Sequence, residues 1–130
     1  MTTVLLDTHV LHWWMAEPAK LSNVASRTLE DADELAVASV TWYELAWLAE
    51  HRRIIVAVPV RSWLDRLAAG VRTVTTTPSI AATAVSLPPT FPQDPADRVI
   101  FATAIEHGWQ LVTRDRRLRR HRHPTRIAVW

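Results

Sequence analysis

Short apolar runs alternate with longer helix-like segments along this chain, and this alternation limits the folds that it can adopt. Runs of aliphatic or β-branched residues bounded by polar positions predict buried strands at residues 4–6, 35–38, 71–75, 110–113 and 126–129. Strands that alternate with helices typically form a parallel sheet with helices on both faces. We therefore predict a three-layer α/β domain with a central, mainly parallel sheet.

Capping signals mark where several of the intervening helices begin and end. Ser22 can cap a second helix, and the Thr41 to Glu44 spacing fits a capping box that opens a third. Asp94 is placed to cap a helix that has a proline in its first turn and ends at Gly108. The predicted helices cover residues 8–15, 22–33, 41–53, 60–69, 78–87, 95–107 and 115–120.

Composition narrows the class of protein. A chain of 130 residues, 48% of them hydrophobic and 22% charged, is typical of one folded, soluble domain over residues 1–130. Without cysteine it has neither disulfides nor thiolate metal sites. No apolar run reaches the roughly 18 residues of a membrane span, and the first residues lack the basic region of a signal peptide. We expect a cytoplasmic protein that does not enter the membrane.

Positive charge is concentrated near the end of the chain, although the formal net charge is only +2. Seven of the 15 basic residues lie between positions 114 and 126. A segment this basic at the end of a compact domain predicts a polyanionic partner such as a nucleic acid, although it could also be a solvated surface. The arginines that we expect to contact the nucleic acid are Arg114, Arg116, Arg117, Arg119 and Arg120.

Four acidic residues occupy comparable places at the ends of predicted strands and the starts of predicted helices. Asp7 directly follows the first strand, and Asp115 lies just past the strand that ends at Thr113. Glu44 and Asp97 each lie in the first turn of a helix. Because function in parallel sheets gathers at the carboxyl ends of the strands, we expect these four carboxylates to converge.

Such a cluster of carboxylates predicts a metal site. Like charges packed together are costly unless a cation or protons neutralise them. Mg²⁺ and similar hard ions favour oxygen ligands, and they support the cleavage of phosphodiesters. With the basic segment nearby, the cluster indicates a nuclease that depends on Mg²⁺ or Mn²⁺, with Asp7, Asp97 and Asp115 as metal ligands and Glu44 as a further catalytic residue.

Each acid also has a purely structural interpretation. Asp7, Glu44, Asp97 and Asp115 could all serve helix starts, and Asp94 is placed mainly as a helix cap with a secondary part in the site. The Thr113 hydroxyl could orient a neighbouring carboxylate or a water, or this threonine could be an ordinary strand residue. The functional interpretation rests on the shared edge, since separate caps have no reason to lie together.

Taken in order, these motifs are similar to those of one known family. The segments VLLDTHVLHWW (4–14), ASVTWYELA (38–46), DPADRVIFATA (94–104) and LVTRD (111–115) resemble the acidic motifs of PIN-domain toxins of the VapC family, and IAVW (127–130) resembles their final strand. The resemblance implies a PIN-like fold, metal-dependent endoribonuclease activity and a cognate antitoxin. It matches Asp7, Glu44, Asp97 and Asp115 to the family's acids and Asp94 to a frequent extra acid.

The tryptophans suggest protein partners. Trp13 and Trp14 are adjacent on one predicted helix, so they cannot face the same way, and at least one should be exposed or at an interface. Trp42 and Trp47 lie on the helix that carries Glu44. Because aromatic residues are enriched at interfaces, we expect contacts with an antitoxin or with a second copy in a homodimer.

Two other functions stay open at this point. A nuclease of the RNase H type also uses four acids, but its first strands form hairpins, whereas residues 8–33 have a helical pattern here. A non-catalytic RNA-binding or adaptor module could share the fold. Metal-dependent cleavage of RNA, lost in Asp7→Asn, would distinguish the enzyme from that module.

Overall fold

A computed structural model describes residues 1–130 and contains one five-stranded sheet. The sheet has the order β3-β2-β1-β4-β5, and all neighbouring strands are parallel. The strands are β1 (Thr3–Leu6), β2 (Glu34–Ala38), β3 (Arg72–Val74), β4 (Gln110–Val112) and β5 (Ala128–Val129). The predicted three-layer α/β architecture is confirmed, and the sheet is parallel throughout.

Seven helices connect the strands, and most begin where the capping signals indicate. They are α1 (Thr8–Ala16), α2 (Asn23–Asp31), α3 (Val40–Glu50), α4 (Val60–Ala68), α5 (Pro78–Ser86), α6 (Pro95–His107) and α7 (Arg116–Arg120). The Ser22 and Asp94 side chains accept hydrogen bonds from backbone N–H groups of α2 and α6, as predicted. Gly108 ends α6 in the left-handed region with φ of 69°, which suits glycine. A short 3-10 turn at Pro18–Lys20 was not predicted.

The start of α3 differs from the sequence-based prediction. We expected Thr41 to cap this helix in a capping box with Glu44, but the helix begins one residue earlier and Ser39 is its N-cap, without a side-chain hydrogen bond. Thr41 lies inside the helix and is buried, and its hydroxyl pairs with that of Thr8. The capping-box prediction is wrong because both side chains face α1 instead of their own helix start.

Alternate residues of the strands supply two separate apolar cores. Val4 and Leu6 face a core with residues of α1, α2, α3 and α4, whereas Leu5 faces the other core with residues of α5, α6 and α7. This alternation follows from the period of two along a strand and explains why β1 is buried on both sides. Helices on each face of the sheet therefore form the outer layers.

The connection between the first two strands excludes the RNase H type of topology. Both α1 and α2 lie between β1 and β2, which pair in parallel with Val4 opposite Leu35. A hairpin would require antiparallel neighbours joined by a short turn.

The strand order also locates a crevice in which a functional site can form. Successive strands run outward from β1 to β3 on one side, and the chain then returns to add β4 and β5 on the other side of β1. Crevices form at the carboxyl ends of the strands where the order reverses in this way. None of the helices has the length and apolar character that crossing a membrane requires.

Candidate active site

An open pocket of about 920 Å³ lies at this reversal point, beyond the carboxyl ends of β1 and β4. The structure brings the predicted acids together here from four separate segments of the chain. They are Asp7, Glu44, Asp94, Asp97 and Asp115. Four of these carboxylates are partly buried, and Asp94 is exposed.

Asp7 lies at the base of the pocket, directly after β1. Its Oδ1 accepts a hydrogen bond of 2.8 Å from the backbone N–H of Thr8, and its Oδ2 accepts one of 2.7 Å from the Thr113 hydroxyl. Burial raises the pKa of Asp7, and these two hydrogen bonds oppose that rise without cancelling it. The carboxylate is thus held in one orientation at a place where its negative charge is costly.

Thr113 connects two of the acids. Its buried hydroxyl donates to Asp7 and accepts a hydrogen bond of 3.0 Å from the backbone N–H of Asp115. The side chain therefore fixes the direction in which the chain leaves β4 and, with it, the position of Asp115. The Thr113 hydroxyl therefore holds the Asp7 carboxylate and the backbone of Asp115 in one arrangement.

Glu44 is held by a threonine that the sequence analysis did not single out. The buried Thr8 hydroxyl donates to Glu44 Oε1 and lies 3.2 Å from the Thr41 hydroxyl. Burial is the main cause that raises the pKa of Glu44, and nearby Asp7 and Asp94 add to it. The only sequence signal for Thr8 was that it is a small hydroxyl residue directly after Asp7. Its partner, Glu44, lies 36 residues away and could not be identified from local sequence.

The ionisation of Asp97 is strongly perturbed. Burial, as the main cause, and repulsion from Asp7, Asp94 and Asp115 together raise its pKa to about 7. Asp97 lies in the first turn of α6, while Asp94 caps that helix through a 2.8 Å hydrogen bond from Ala96 N–H. The charge of Asp97 is therefore poised to be neutralised by a proton or by a cation.

One cation of the chain itself already approaches these acids. Arg117 Nη2 lies 2.7 Å from Asp115 Oδ2 and 3.3 Å from Asp97 Oδ2, and its Nε lies 3.1 Å from Asp115 Oδ1. The hydrogen bonds from this guanidinium hold the pKa of Asp115 below its usual value. Asp97 and Asp115 are thus bridged by an arginine instead of facing each other as bare carboxylates.

The donor set fits a hard divalent cation. In the present arrangement, no three acidic or histidine side chains surround one point closely enough to form a complete metal site. Mg²⁺ usually takes only one or two protein carboxylates and fills its other positions with water and phosphate. Carboxylates whose pKa values are raised by burial and mutual repulsion gain most when a cation arrives. The cluster therefore has the chemistry that such an ion requires.

The predicted RNA-contacting arginines divide between two cavities. Arg114, Arg116, Arg117 and Arg119 line the acidic pocket, whereas Arg120 lines a neighbouring groove. Three aromatic side chains also line the acidic pocket, which are His9, Trp13 and Trp130. Their positions depend on how α1 and the end of the chain pack beside β1, which local patterns do not reveal.

Comparison with known proteins identifies the family and the fold of the chain. The model of the PIN domain family matches residues 4–124. Ribonuclease VapC22 of Mycobacterium tuberculosis is 68% identical over 130 residues, which cover the whole of both chains. Among solved structures, VapBC2 of Rickettsia felis bound to a promoter DNA fragment shares the fold with a TM-score of 0.71, 16% identity and coverage of 98% of each chain. A toxin–antitoxin complex of Klebsiella pneumoniae does so with a TM-score of 0.63, 22% identity and coverage of 86% of each chain. The chain therefore belongs to the PIN domain family and, within that family, to the VapC ribonucleases.

Proposed function

We propose that this protein is an endoribonuclease that uses Mg²⁺ or Mn²⁺, and that it is the toxin of a toxin–antitoxin pair. The observation that carries the proposal is the convergence of Asp7, Glu44, Asp97 and Asp115 in one pocket, where burial and repulsion from neighbouring acids raise the pKa values of the first three. The curated relative named a ribonuclease matches along its entire length. Because its substrate would be cellular RNA, we place the protein in the cytoplasm.

Each acid has a distinct part in this proposal. Asp7, Asp97 and Asp115 would hold the cation, which when bound supplies Lewis-acid chemistry at the scissile phosphate. Thr113 orients Asp7 through its hydroxyl. Glu44 is oriented by Thr8, and its raised pKa suits a carboxylate whose Oε atoms accept the proton of an attacking water.

The proposal is tested by measuring RNA cleavage with and without the metal and the central acid. Excess chelator should abolish cleavage, and added Mg²⁺ or Mn²⁺ should restore it. Asp7→Asn should lower the cleavage rate about a thousandfold or more while binding RNA at least as tightly, because it removes negative charge near phosphate. The matched control is Asp65→Asn, which neutralises an exposed aspartate on α4 outside the pocket.

Cleavage that persists in chelator, with contaminating nucleases excluded, would contradict the metal mechanism. Binding without cleavage by the wild type would favour the adaptor module.

The arginines of the basic segment are proposed to contact RNA phosphates. Arg114, Arg116, Arg117, Arg119 and Arg120 lie at the acidic pocket or the adjoining groove and, apart from Arg117, form no salt bridge within the chain. Each phosphate contact to a single strand contributes about 0.7 to the slope of log affinity against log salt. Replacing Arg116, Arg117, Arg119 and Arg120 together by Ala should therefore reduce that slope by about 3. An unchanged slope would make the segment a solvated surface.

An antitoxin is the proposed protein partner, and an apolar groove beside the acids supplies its binding surface. Tyr43 and Trp47 on α3 are 72% and 43% exposed and line this groove with Leu48 and Pro95. Glu44 borders both the groove and the acidic pocket. A peptide bound here could direct a basic side chain at the carboxylates and exclude the metal.

The antitoxin proposal is tested by co-expression with the small reading frame beside the gene. Gel filtration of the pair should show a complex that cleaves no RNA, and Trp47→Ala should weaken that complex without loss of cleavage by the free enzyme. Light scattering on the free chain should give the mass of a homodimer, since exposed aliphatic residues such as Ile55 and Val85 leave apolar surface for a second copy. A monomer whose activity the neighbouring product leaves unchanged would contradict both partner proposals and leave the nuclease intact.

A further inference from the structure

The arginines of α7 point into two different cavities. Arg116 and Arg119 line only the acidic pocket, whereas Arg117 and Arg120 line a second groove of about 600 Å³. Residues three apart share one face of a helix, so the short helix presents two separate basic faces. Arg117 lines both cavities and therefore connects them.

The second groove is basic and holds no acidic side chain. Arg122 and His121, which directly follow α7, complete its basic side. Neither Arg120 nor Arg122 forms a salt bridge with any carboxylate of the chain. In the acidic pocket, by contrast, the guanidinium of Arg117 is bound by two aspartates. The groove thus carries positive charge that the protein itself does not neutralise.

The opposite wall of the groove is a proline-rich turn that one arginine holds in shape. Pro88, Thr90 and Pro92 line the groove. Behind them, the Arg98 guanidinium donates hydrogen bonds of 2.9 to 3.4 Å to the carbonyl oxygens of residues 84, 87, 88, 91 and 92. These carbonyl dipoles already interact with a cation, so they oppose an incoming anion less than free carbonyls would. The wall is therefore rigid and electrostatically compatible with phosphate.

His121 is also held in a defined position. Its ring packs edge-on against Phe91 at 5.2 Å and Phe101 at 5.3 Å between ring centroids. Burial and the neighbouring His123 lower the pKa of His121, and the neutral ring still has one N–H donor. The groove consequently has a packed imidazole beside the exposed guanidinium groups of Arg120 and Arg122.

We propose that this groove is a second phosphate subsite, which binds the RNA backbone beyond the phosphate that lies at the acids. The inference rests on the proposed ribonuclease function and adds to it the path of the strand. Because Arg117 borders both cavities, one continuous strand can pass from the acidic pocket over α7 and along the turn at residues 88–92. An acidic protein segment could occupy a basic groove too, but the continuity with the catalytic pocket favours the substrate strand.

The test compares RNAs of two lengths on a non-cleaving background. In Asp7→Asn, affinities are measured for a dinucleoside monophosphate, whose single phosphate can occupy only one subsite, and for a ten-nucleotide single strand. Arg120→Ala and Arg122→Ala are then introduced together. The matched control replaces Arg27 and Arg66, exposed arginines of α2 and α4 that line neither cavity. Thermal melting verifies that each variant is folded.

The groove variant should weaken binding of the ten-nucleotide strand roughly five- to tenfold at low salt and reduce its salt slope by about 1.4, as expected for two lost phosphate contacts. Binding of the dinucleotide should weaken less than binding of the ten-nucleotide strand, because its single phosphate can bind instead at Arg114 and Arg116 of the acidic pocket. Arg120→Lys with Arg122→Lys should restore most of the slope. Equal losses for both lengths, equal losses in the control variant, or no loss at all would overturn the second subsite. If Asp7→Asn with all arginines intact binds neither RNA, the proposed function itself fails.

Discussion

The acidic pocket and the basic segment beside it are built in opposite ways. The acids come from four segments that are far apart in the chain, whereas the arginines from 114 to 122 come from one continuous segment. Asp7 and Glu44 are held by threonine hydroxyls, but the arginines are exposed and, except for Arg117, unpaired with carboxylates. The acids therefore depend on the whole fold, while the arginines depend on little beyond the end of β4.

This difference predicts two kinds of response to perturbation. Groups that share hydrogen bonds and repel one another respond as a unit, so changes among the acids should not be additive. Exposed charges act nearly independently and are screened by salt. Variants of the acids should consequently differ from the wild type in how they respond to pH and metal. Variants of the arginines should differ mainly in how they respond to ionic strength.

The largest expected effect is the pH dependence of metal binding. Burial raises the pKa of Asp97 to about 7, so below that pH a proton must leave before this carboxylate can hold a cation. Affinity for Mn²⁺ should therefore rise about tenfold per pH unit from pH 5 to 7, close to a hundredfold in total, and level off above. Calorimetry in buffers of different ionisation enthalpy measures the released proton. Affinity that is constant over this range would show that Asp97 is not a ligand.

Thr113 provides the next test, because it couples two acids without carrying charge. Thr113→Val keeps the shape but leaves Asp7 Oδ2 and the N–H of Asp115 without their partner. Metal affinity and the rate of RNA cleavage should each fall by roughly ten- to a hundredfold, as for other groups that orient metal ligands. RNA affinity measured without metal should be unchanged.

A matched substitution separates this effect from general damage to the core. Thr103 is another buried threonine, on α6, and its hydroxyl donates to Val99 O within its own helix. Thr103→Val should retain metal affinity within about twofold. If both variants lose metal affinity equally, Thr113 has no special part in the site.

Arg117 belongs to both regions, and its replacement should affect them in opposite directions. With the guanidinium removed, Asp97 and Asp115 lose the cation that bridges them. Arg117→Ala should therefore bind Mn²⁺ roughly three- to tenfold more tightly, since the metal no longer competes with a charge-assisted hydrogen bond. The same variant should bind RNA more weakly. Arg116→Ala leaves the bridge intact and should change only RNA binding. If both variants bind the metal more tightly, the cause is the loss of one positive charge near the site and not the loss of the bridge.

Much of this site could be predicted from sequence because parallel strands share one carboxyl edge. Asp7 after β1 and Asp115 after β4 had to reach neighbouring places once the strands were correctly assigned. The predicted cap at Asp94 was also correct, since a cap involves only adjacent residues. Local chemistry and strand order were sufficient for these features.

The remaining features depend on contacts between distant segments. The Thr41 to Glu44 spacing fitted a capping box, but the true partner of both residues is Thr8, which is 33 and 36 residues away. Likewise, Arg117 could be recognised as one of several arginines, but its position between Asp97 and Asp115 depends on the packing of α6 beside α7. No local pattern distinguishes such a residue from its neighbours.

The last expected effect concerns the stability of the metal-free protein. The pKa of Asp97 is raised from 3.8 to about 7 in the folded protein, so protonation of this carboxyl group stabilises the folded state. Its contribution is fully present below the unfolded pKa and is lost as the pH rises through about 7. Above pH 7 the folded state therefore carries a buried, repelled charge that Asp97→Asn removes. We expect this variant to be more stable than the wild type by roughly 1 to 2 kcal/mol at pH 8 without metal.

Thermal melting should show the difference growing between pH 4 and 7 and remaining constant above, whereas Asp65→Asn should show no such trend. A saturating concentration of Mg²⁺ should reverse the order, because the wild type then gains a ligand that the variant lacks. An Asp97→Asn protein that is less stable at every pH would mean that the bridge to Arg117 outweighs the repulsion among the acids, and the acidic pocket would then be a source of stability in its own right.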